Sequence, residues 1–197
     1  MPSSILEALQ EASVLLSSFV EDRNALATMQ AISLAISACF ARGGKLIICG
    51  NGGSMADAMH VAEEFSGRFR HDREPLPAIA LSDPAHMSCV ANDYGYDQVF
   101  SRQVKALGKA EDILVLLSTS GNSPNLAAAA REALRVGMTV VSALGRGGGE
   151  LADLSNLVLM VPGDGSDRIQ ELHMLAFHAI IEDVENRWCA QNPSRIS

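Results

Sequence analysis

The sequence predicts an α/β protein in which five strands form a doubly wound, mainly parallel sheet, preceded by an N-terminal pair of helices. From Lys45 onward, short apolar runs alternate with segments of helical periodicity. Most of these runs are continuously apolar, as expected for strands that are buried on both faces of a parallel sheet. Of the 197 residues, 48% are apolar and 19% are charged, which indicates a globular domain with a packed core.

Two helices are predicted in the first 44 residues, and we expect them to serve oligomerisation. Apolar positions in 3–21 recur at helical spacing, and either Ser3 or Ser4 can cap this helix, with Glu7 as a capping-box partner of Ser4. The second helix, about 24–41, is apolar on more than one side. Such a helix lies deep in a core or is shared with another subunit.

The α/β core is predicted over 45–190, within a single domain that spans 1–197. Its strands are expected at about 45–49, 78–81, 113–118, 139–144 and 157–161. Helices are expected at 54–69, 86–92, 99–107, 124–136 and 149–154, followed by a long helix at 167–188. Residues 192–197 are expected to form a frayed tail.

The overall charge and the cysteines restrict the class of protein. A formal net charge of −8 without a Lys/Arg block disfavours nucleic acid, whereas local donors can still bind a small phosphorylated ligand. The four cysteines are irregularly spaced and form no C-x-x-C pair, which favours buried reduced thiols. No signal peptide is recognisable and the apolar runs are far short of a membrane span, so we expect a cytoplasmic protein without a membrane partner.

The first candidate binding segment follows the first strand and has the sequence CGNGGS, from Cys49 to Ser54. Its glycines allow a sharp turn and a close approach of the backbone to a ligand. Ser54 lies where a helix begins, beside free backbone N–H groups that can bind an anion. A plain strand-to-helix turn is the alternative, and no Gly-Lys-Ser/Thr follows that would indicate a P-loop.

The second candidate segment, STSGNSP, follows the third strand, and a helix that begins with proline comes after it. Hydroxyl groups together with exposed N–H groups at a helix start can bind a phosphomonoester without a positive charge. The hydroxyl residues of this predicted phosphate site are Ser118, Thr119, Ser120 and Ser123. A surface loop that is rich in serine by chance is the alternative interpretation.

Helix-borne histidine and carboxylate residues are the third signal. His60 and Glu64 share one helix face, four residues apart, and could face one metal ion or one substrate, although a solvated pair is the commoner outcome. The last helix offers Gln170, Glu171, His173 and His178. Glu171 aligns best with His178 by helical angle and Gln170 moderately, so periodicity alone does not choose between them. A histidine in so apolar a helix is more often a core residue with satisfied hydrogen bonds.

Three further polar residues are candidates for substrate binding because of their neighbours in the sequence. Asn92 and Asp93 end a short helix beside Tyr94 and could be turn formers or could bind sugar hydroxyls. Arg68 could pair with a phosphate or with an internal carboxylate.

Taken together, these segments resemble the SIS (sugar isomerase) family, and within it the phosphoheptose isomerases. The resemblance extends over nearly the whole chain, and several motifs in the same order are more specific than any one of them. The matching segments are CGNGGS (49–54), DAMHVAEEFSGR (57–68), PAIAL (77–81), NDYG (92–95), FSRQ (100–103), STSGNS (118–123) and DRIQELH (167–173).

The resemblance implies a homotetramer with active sites between subunits, and the conversion of sedoheptulose 7-phosphate to D-glycero-D-manno-heptose 7-phosphate for bacterial surface glycans such as lipopolysaccharide. It implies one zinc ion per subunit, and it selects Gln170 over Glu171, so that the expected ligands are His60, Glu64, Gln170 and His178. It implies that the phosphate lies at 118–123 and that the sugar is lined by Asn51, Gly52, Gly53 and Ser54. Polar positions of the family's site are also matched by Arg68, Asn92, Asp93, Asp167 and Gln170.

An aldose–ketose isomerase moves a proton between C1 and C2 through an enediol, which requires a base and an opposing acid. The resemblance suggests Glu64 as the base and His178 as the acid, with zinc assisting. The alternatives are a non-catalytic SIS scaffold that associates with a DNA-replication initiator, a sugar-phosphate sensor, and an isomerase of another sugar phosphate. The scaffold proteins lack the glutamate that is retained here as Glu64, and no segment of this sequence is left over for the DNA-binding domain of a sensor.

Overall fold

The predicted α/β sheet is confirmed by a computed structural model, which describes residues 3–192. Five parallel strands are hydrogen-bonded in the order β2-β1-β3-β4-β5. They are β1 (Leu46–Gly50), β2 (Ala78–Ala80), β3 (Ile113–Ser118), β4 (Thr139–Leu144) and β5 (Leu157–Met160). Each strand lies within a residue of its predicted position. Of the expected tail, only Asn192 lies within the described residues.

Eight α-helices connect or flank the strands in the described chain. They are α1 (Ser4–Glu21), α2 (Arg23–Ala41), α3 (Gly53–Ser66), α4 (Pro84–Tyr94), α5 (Ser101–Leu107), α6 (Pro124–Val136), α7 (Gly149–Asp153) and α8 (Ser166–Gln191). A single 3₁₀ turn, Tyr96–Gln98, lies between α4 and α5. The predicted α3 was three residues too long, because the chain leaves the helix at Gly67.

The sheet separates two apolar cores, because successive strand residues point to opposite faces. Leu46 and Ile48 pack on one face with apolar residues of α2, α3 and α8, whereas Ile47 and Cys49 pack on the other face with α5 and α6. Every residue of β1 and β3 is buried. The continuously apolar composition of these strands therefore reflects burial on both faces, as predicted.

The first helix is capped by Ser3, whose hydroxyl accepts from the Leu6 backbone N–H at 3.2 Å, so Ser3 fills the role predicted for either Ser3 or Ser4. One face of this helix remains apolar and exposed, with exposed fractions of 72% at Ile5, 64% at Leu9 and 55% at Val20. Apolar residues exposed in a row along one helix indicate a surface that another chain can cover.

The second helix is long and apolar enough to cross a membrane, so the expectation that every apolar stretch falls far short of a span is wrong for Arg23–Ala41. Length and composition are the only grounds for that comparison. Ile32, Ile36 and Phe40 are buried in the core, and α2 packs against α8. We therefore interpret α2 as a core helix whose remaining apolar side chains lie at the surface of the chain.

The expectation of buried thiols is correct for two of the four cysteines. Cys39 and Cys49 are buried, and burial raises the pKa of the Cys39 thiol to about 11 and raises the pKa of Cys49 still further. Cys89 is exposed and Cys189 is half-buried. Cys89 lies on the outer side of α4, with its sulfur 3.7 Å from a carboxylate oxygen of Asp93. Its apolar sequence neighbours therefore do not bury it.

His173 is a core histidine, as periodicity suggested, but its hydrogen bonds are not satisfied. It is fully buried in α8, and neither ring nitrogen has a hydrogen-bond partner among the described residues. Burial lowers its pKa from 6.5 to about 4. The His173 imidazole therefore binds a proton more readily in the unfolded chain than in the folded one. Acid consequently destabilises the fold: the full free energy of unfolding is present above pH 6.5, and part of it is lost as the pH falls towards 4.

We expect His173→Leu to weaken the acid sensitivity of the fold. Between pH 7 and pH 4.5, the free energy of unfolding should fall by about 2 kcal/mol more in the unchanged chain than in this variant, given about 1.4 kcal/mol per pKa unit. Urea titrations at the two pH values measure the difference. His71→Leu removes an exposed imidazole and is the matched control. Equal losses in His173→Leu and the unchanged chain would contradict the prediction.

Candidate active site

Both candidate loops meet at one edge of the sheet, where the strand order changes direction. β1 and β3 are neighbours, and the loops that follow them lie side by side at their carboxyl ends. In an open sheet of this order, ligands bind at the point between these two strands. A pocket of about 230 Å³ lies there, and its walls are formed by Asn51, Ser54, Leu117, Ser118, Thr119, Ser120, Ser123, Leu126, Ser166 and Gln170.

Three helix starts converge on this pocket. Ser54 is in the first turn of α3, Ser123 directly precedes α6, and Ser166 begins α8. None of the three residues that precede these helices caps its helix through its side chain, although the Leu126 N–H of α6 donates to Asn125 Oδ1 at 2.9 Å. Their first-turn N–H groups and the positive ends of their dipoles therefore favour an anion in the pocket. The side chains that line it are neutral.

The hydroxyl groups of the second loop have different roles. Ser118 Oγ accepts from the Gly121 backbone N–H at 3.0 Å, and Ser120 Oγ accepts from the Asn122 N–H at 3.3 Å, so both hold the loop in shape. The Ser123 side chain makes no capping bond to α6 and lies free in the pocket wall. Ser118 can still donate its own proton to a ligand, because it is an acceptor in the bond to Gly121.

Because Ser118 holds the loop in shape whereas Ser123 does not, replacing each serine with alanine should have a different effect. Ser118→Ala should lower the free energy of unfolding by about 1–2 kcal/mol, because it leaves the Gly121 N–H buried without its partner. Ser123→Ala should leave stability within about 0.5 kcal/mol of the unchanged chain and weaken binding of inorganic phosphate. Denaturant unfolding and calorimetric titration with phosphate measure the two effects. Equal stabilities of the two variants would contradict the assignment.

A pair of amide side chains joins the first loop to α6. The Asn51 Nδ2 group donates to Asn125 Oδ1 at 3.0 Å, and the Asn125 Nδ2 group donates to Asn51 Oδ1 at 2.8 Å. The Tyr96 hydroxyl donates to the same Asn51 oxygen at 3.2 Å. Asn125 and Tyr96 were not predicted as site residues. Asn125 is 2% exposed, and a buried amide in an otherwise alanine-rich helix is a signal that could have been recognised.

His60, Glu64 and His178 form a cluster that could hold a metal ion, since their ligand atoms all lie within 4.8 Å of one another. The Nε2 atoms of the two histidines are 3.4 Å apart, and His60 Nε2 is 3.1 Å from Glu64 Oε1. Two nitrogen ligands about 2.0–2.1 Å from one tetrahedral zinc ion are about 3.3–3.4 Å apart. The donor set and its spacing therefore fit zinc.

The surroundings of the cluster orient its members. The Phe69 ring stacks on the His178 ring, with the centroids 5.8 Å apart, and the side chain of Glu64 is only 15% exposed. Glu63 Oε1 is 3.9 Å from His60, but its side chain is 63% exposed. Of the two neighbouring glutamates, Glu64 is thus the one that faces the interior.

Asp57 is a further residue that sequence reasoning left without a role. One of its carboxylate oxygens is buried without a hydrogen-bond partner among the described residues. Burial raises its pKa to about 6, although His60 opposes the shift. Asp57 lies one turn before His60 on α3, between the pocket and the cluster. Carboxyl groups with a pKa raised by burial are concentrated at functional sites, so Asp57 is a further candidate site residue.

The structure places Gln170 in the wall of the pocket. Its Nε2 group donates to Ser54 Oγ at 3.3 Å. Glu171, which helical angle favoured, instead forms an ion pair with Arg168 at 2.5 Å. The remaining predicted substrate residues are exposed and are not among the residues that line the pocket: Gly52, Gly53, Arg68, Asn92, Asp93 and Asp167.

α3 and α8 run side by side in the same direction and set the distance between pocket and cluster. Ser54 contacts Gln170 at the pocket, and His60 contacts His178 at the cluster. Ser54 and His60 are six residues apart on α3, and Gln170 and His178 are eight residues apart on α8. At 1.5 Å per residue, the two levels are roughly 9–12 Å apart along the helices.

A buried ion pair closes the far end of α3. Arg73 Nε donates to Glu185 Oε1 at 3.1 Å, and both side chains are at most 1% exposed. Arg73 also donates to the backbone carbonyls of Glu64 and Phe65, both at 2.9 Å. These carbonyls belong to the last turn of the helix and have no N–H partner within the helix, although the Leu76 N–H donates to the Phe65 carbonyl at 2.9 Å. The buried Arg73 side chain therefore fixes the backbone at Glu64 to the core of the protein.

Comparison with known proteins agrees with this fold. The SIS domain family model matches residues 9–145. Phosphoheptose isomerase of Cytophaga hutchinsonii is 48% identical over 184 residues, which cover 93% of this chain and 96% of the relative. The phosphoheptose isomerase structures from Neisseria gonorrhoeae and Francisella tularensis superpose with TM-scores of 0.86 and 0.87, at 36% and 35% identity. Each covers 92% of this chain, which in turn covers 97% and 96% of the two solved chains.

The fold, the anion pocket at the β1–β3 edge and the family match define an SIS-domain protein. At 48% identity over nearly the full length of both chains, the assignment extends to a subfamily. The chain belongs to the phosphoheptose isomerase family of enzymes.

Proposed function

We propose that this enzyme converts sedoheptulose 7-phosphate to D-glycero-D-manno-heptose 7-phosphate. The observation that carries the proposal is the placement of a neutral anion pocket two helical turns from the His60–Glu64–His178 cluster. The names of the relatives support the same substrate class. The product would supply heptose for surface glycans such as lipopolysaccharide, and the localisation we propose is the cytoplasm.

The separation of the two levels supports a seven-carbon substrate. Each C–C bond of about 1.5 Å advances an extended chain by roughly 1.3 Å, so C1 of a heptose 7-phosphate lies roughly 10 Å from phosphorus. That length matches the roughly 9–12 Å between the pocket and the cluster. With the phosphate at the three helix starts, C1 and C2 would lie beside Glu64 and His178.

In the proposed reaction, the Glu64 carboxylate removes a proton from C1 while the electrons of that bond form the C1–C2 double bond. The carbonyl electrons pass to O2, which takes a proton from His178, and an enediol results. Glu64 then returns its proton to C2, while the O1 hydroxyl gives its proton to His178 and the electrons of that O–H bond form the C1 carbonyl of the aldehyde. The phosphate would be bound by Ser118, Thr119, Ser120 and Ser123, and the sugar by Asn51, Gly52, Gly53 and Ser54.

We propose His60, Glu64 and His178 as zinc ligands, with one ion per subunit. A bound zinc ion would polarise the sugar oxygens and stabilise the enediolate charge. Gln170 as fourth ligand requires its side chain to leave Ser54 and extend along α8. Glu64 and His178 each have two assigned roles, so the contact of each with a bound metal would loosen when it accepts or gives a proton.

We further propose a homotetramer with active sites between subunits. The exposed apolar residues of α1 and α2 support an oligomeric role for residues 1–44. Residues 45–190 would then form the catalytic core of a single SIS domain over 1–197. Arg68, Asn92, Asp93 and Asp167 would contact the substrate from the edges of the site, where a second subunit brings them close.

The experiment is to incubate the purified enzyme with sedoheptulose 7-phosphate and follow the aldose product, with added zinc and with a chelator. We expect turnover that the chelator abolishes and zinc restores. Turnover that is unaffected by thorough metal removal would contradict the zinc assignment. Without turnover by a folded, zinc-loaded enzyme, the heptose assignment would be wrong. A panel of pentose and hexose phosphates would then separate another substrate from a scaffold.

A further inference from the structure

The loop after β4 holds a non-glycine residue in a backbone conformation that favours glycine. Arg146 has a φ of 49°, and no other non-glycine residue in 3–192 has a positive φ. The three residues that follow it are glycines with φ values of 82°, 86° and 53°. An L-residue at such a φ is strained, and the presence of an arginine at this position indicates a use for its side chain.

The Arg146 guanidinium bridges two groups at the start of α8. Its Nε donates to the Asp164 carbonyl oxygen at 2.7 Å, and its Nη2 donates to Ser166 Oγ at 2.9 Å. Ser166 is part of the pocket wall, and its Oγ lies 3.3 Å from Thr119 Oγ1. Arg146 is thus one hydroxyl group away from the pocket.

The hydrogen bond from Arg146 determines which acceptors the Ser166 hydroxyl proton can reach. A serine hydroxyl has one proton and two acceptor positions. Because Ser166 Oγ accepts from the guanidinium, its own proton is available for Thr119 or for an oxygen of a bound phosphate. Bonds to a charged donor are stronger than neutral ones and polarise the groups that follow. The pocket lining has no charged side chain of its own, so Arg146 supplies a positive charge close to a dianion.

We propose that Arg146 is a positioning residue of the pocket, which presents the Ser166 proton to the phosphomonoester end of the substrate and offsets its charge. The proposal deepens the proposed function and rests on it for the identity of the substrate. Sugar phosphates would bind through Arg146 and Ser166, whereas the reacting carbons lie at the other end of the site.

The test compares Arg146→Gly and Arg146→Lys with the unchanged enzyme. Glycine suits the observed φ, so Arg146→Gly should fold at least as stably as the unchanged chain. We expect its affinity for inorganic phosphate and its KM for sedoheptulose 7-phosphate to worsen by roughly tenfold or more, with kcat within about threefold. Arg146→Lys should be intermediate. Arg131→Gln, which removes an exposed arginine from the outer side of α6, is the control for net charge.

A double-variant cycle that combines Arg146→Gly with Ser166→Ala distinguishes an effect of Arg146 through Ser166 from an effect of its positive charge alone. If Arg146 acts through Ser166, then Ser166→Ala should weaken phosphate binding much less in the Arg146→Gly background than in the unchanged enzyme. Fully additive effects would overturn the role assigned to Ser166. Unchanged phosphate affinity and KM in Arg146→Gly would overturn the whole proposal.

The role of Arg146 and the proposed isomerase reaction can be tested separately, because phosphate binding is measured without turnover. Weaker phosphate binding in Arg146→Gly, together with no isomerase activity in the unchanged enzyme, would support Arg146 and reject the heptose reaction. Turnover of sedoheptulose 7-phosphate with the same KM in both proteins would support the reaction and reject Arg146.

Discussion

Replacing Glu64 with glutamine should lower kcat by about 10³-fold while leaving the enzyme folded, because removal of a general base typically costs 10²–10⁴-fold. Glutamine keeps the size of the side chain and one oxygen that could face a metal, but it does not accept a proton at neutral pH. The rate of aldose formation from sedoheptulose 7-phosphate at saturating substrate measures this effect.

Glu63→Gln is the matched control, because it makes the same chemical change one residue earlier on α3. The Glu63 side chain is 63% exposed, against 15% for Glu64. We expect its kcat to stay within about twofold of the unchanged enzyme, as is usual for an exposed surface position. Zinc content should be measured in both variants, so that loss of metal is separated from loss of the base. Full turnover by a zinc-loaded Glu64→Gln enzyme would refute Glu64 as the base.

Arg73→Met should lower the free energy of unfolding by about 3–5 kcal/mol, because it leaves the buried Glu185 carboxylate without its ion-pair partner. The same change removes the two hydrogen bonds to the carbonyls of Glu64 and Phe65. Urea unfolding at pH 7.5 measures the loss. Activity should fall at temperatures where the protein remains folded, since the last turn of α3 carries Glu64.

A surface ion pair provides the comparison for this prediction. Arg70 pairs with Glu182 at 2.5 Å, but their side chains are 60% and 39% exposed. Arg70→Met should therefore cost at most about 1 kcal/mol. The double variant Arg73→Met/Glu185→Leu should recover part of the stability, since apolar replacement of a buried pair is often nearly neutral. Equal costs for Arg73→Met and Arg70→Met would show that burial of the first pair is unimportant.

The strands could be predicted from the sequence because burial on both faces leaves a direct signature, a continuously apolar run. The two loops could be predicted because glycine and hydroxyl residues are concentrated at the ends of β1 and β3. Their adjacency follows from the strand order, which the alternation of elements suggests but does not determine. The structure shows that the two strands are neighbours and that their loops form one pocket.

Other site residues could not be predicted because their role depends on contacts between distant segments. Ser166 and Asn125 belong to helices, and only the packing of α6 and α8 around the sheet brings them to the pocket. Arg146 lies in a glycine-rich loop whose backbone conformation is not evident from composition. Helical angle favoured Glu171, but the nearby Arg168 binds that carboxylate at the surface. Local periodicity does not contain these competing partners.

The parallel run of α3 and α8 has a consequence for how this enzyme can change during evolution. Surface loops accept insertions readily, so many enzymes alter their specificity through loops of variable length. In the proposed binding mode, side chains of two packed helices hold the phosphate and the reacting carbons, so the distance between these groups depends on both helices. A residue inserted into one helix would rotate its later side chains by about 100° and destroy their contacts with the other. Adaptation to a shorter or longer sugar would require matched changes in both helices, so drift in substrate length should be rare.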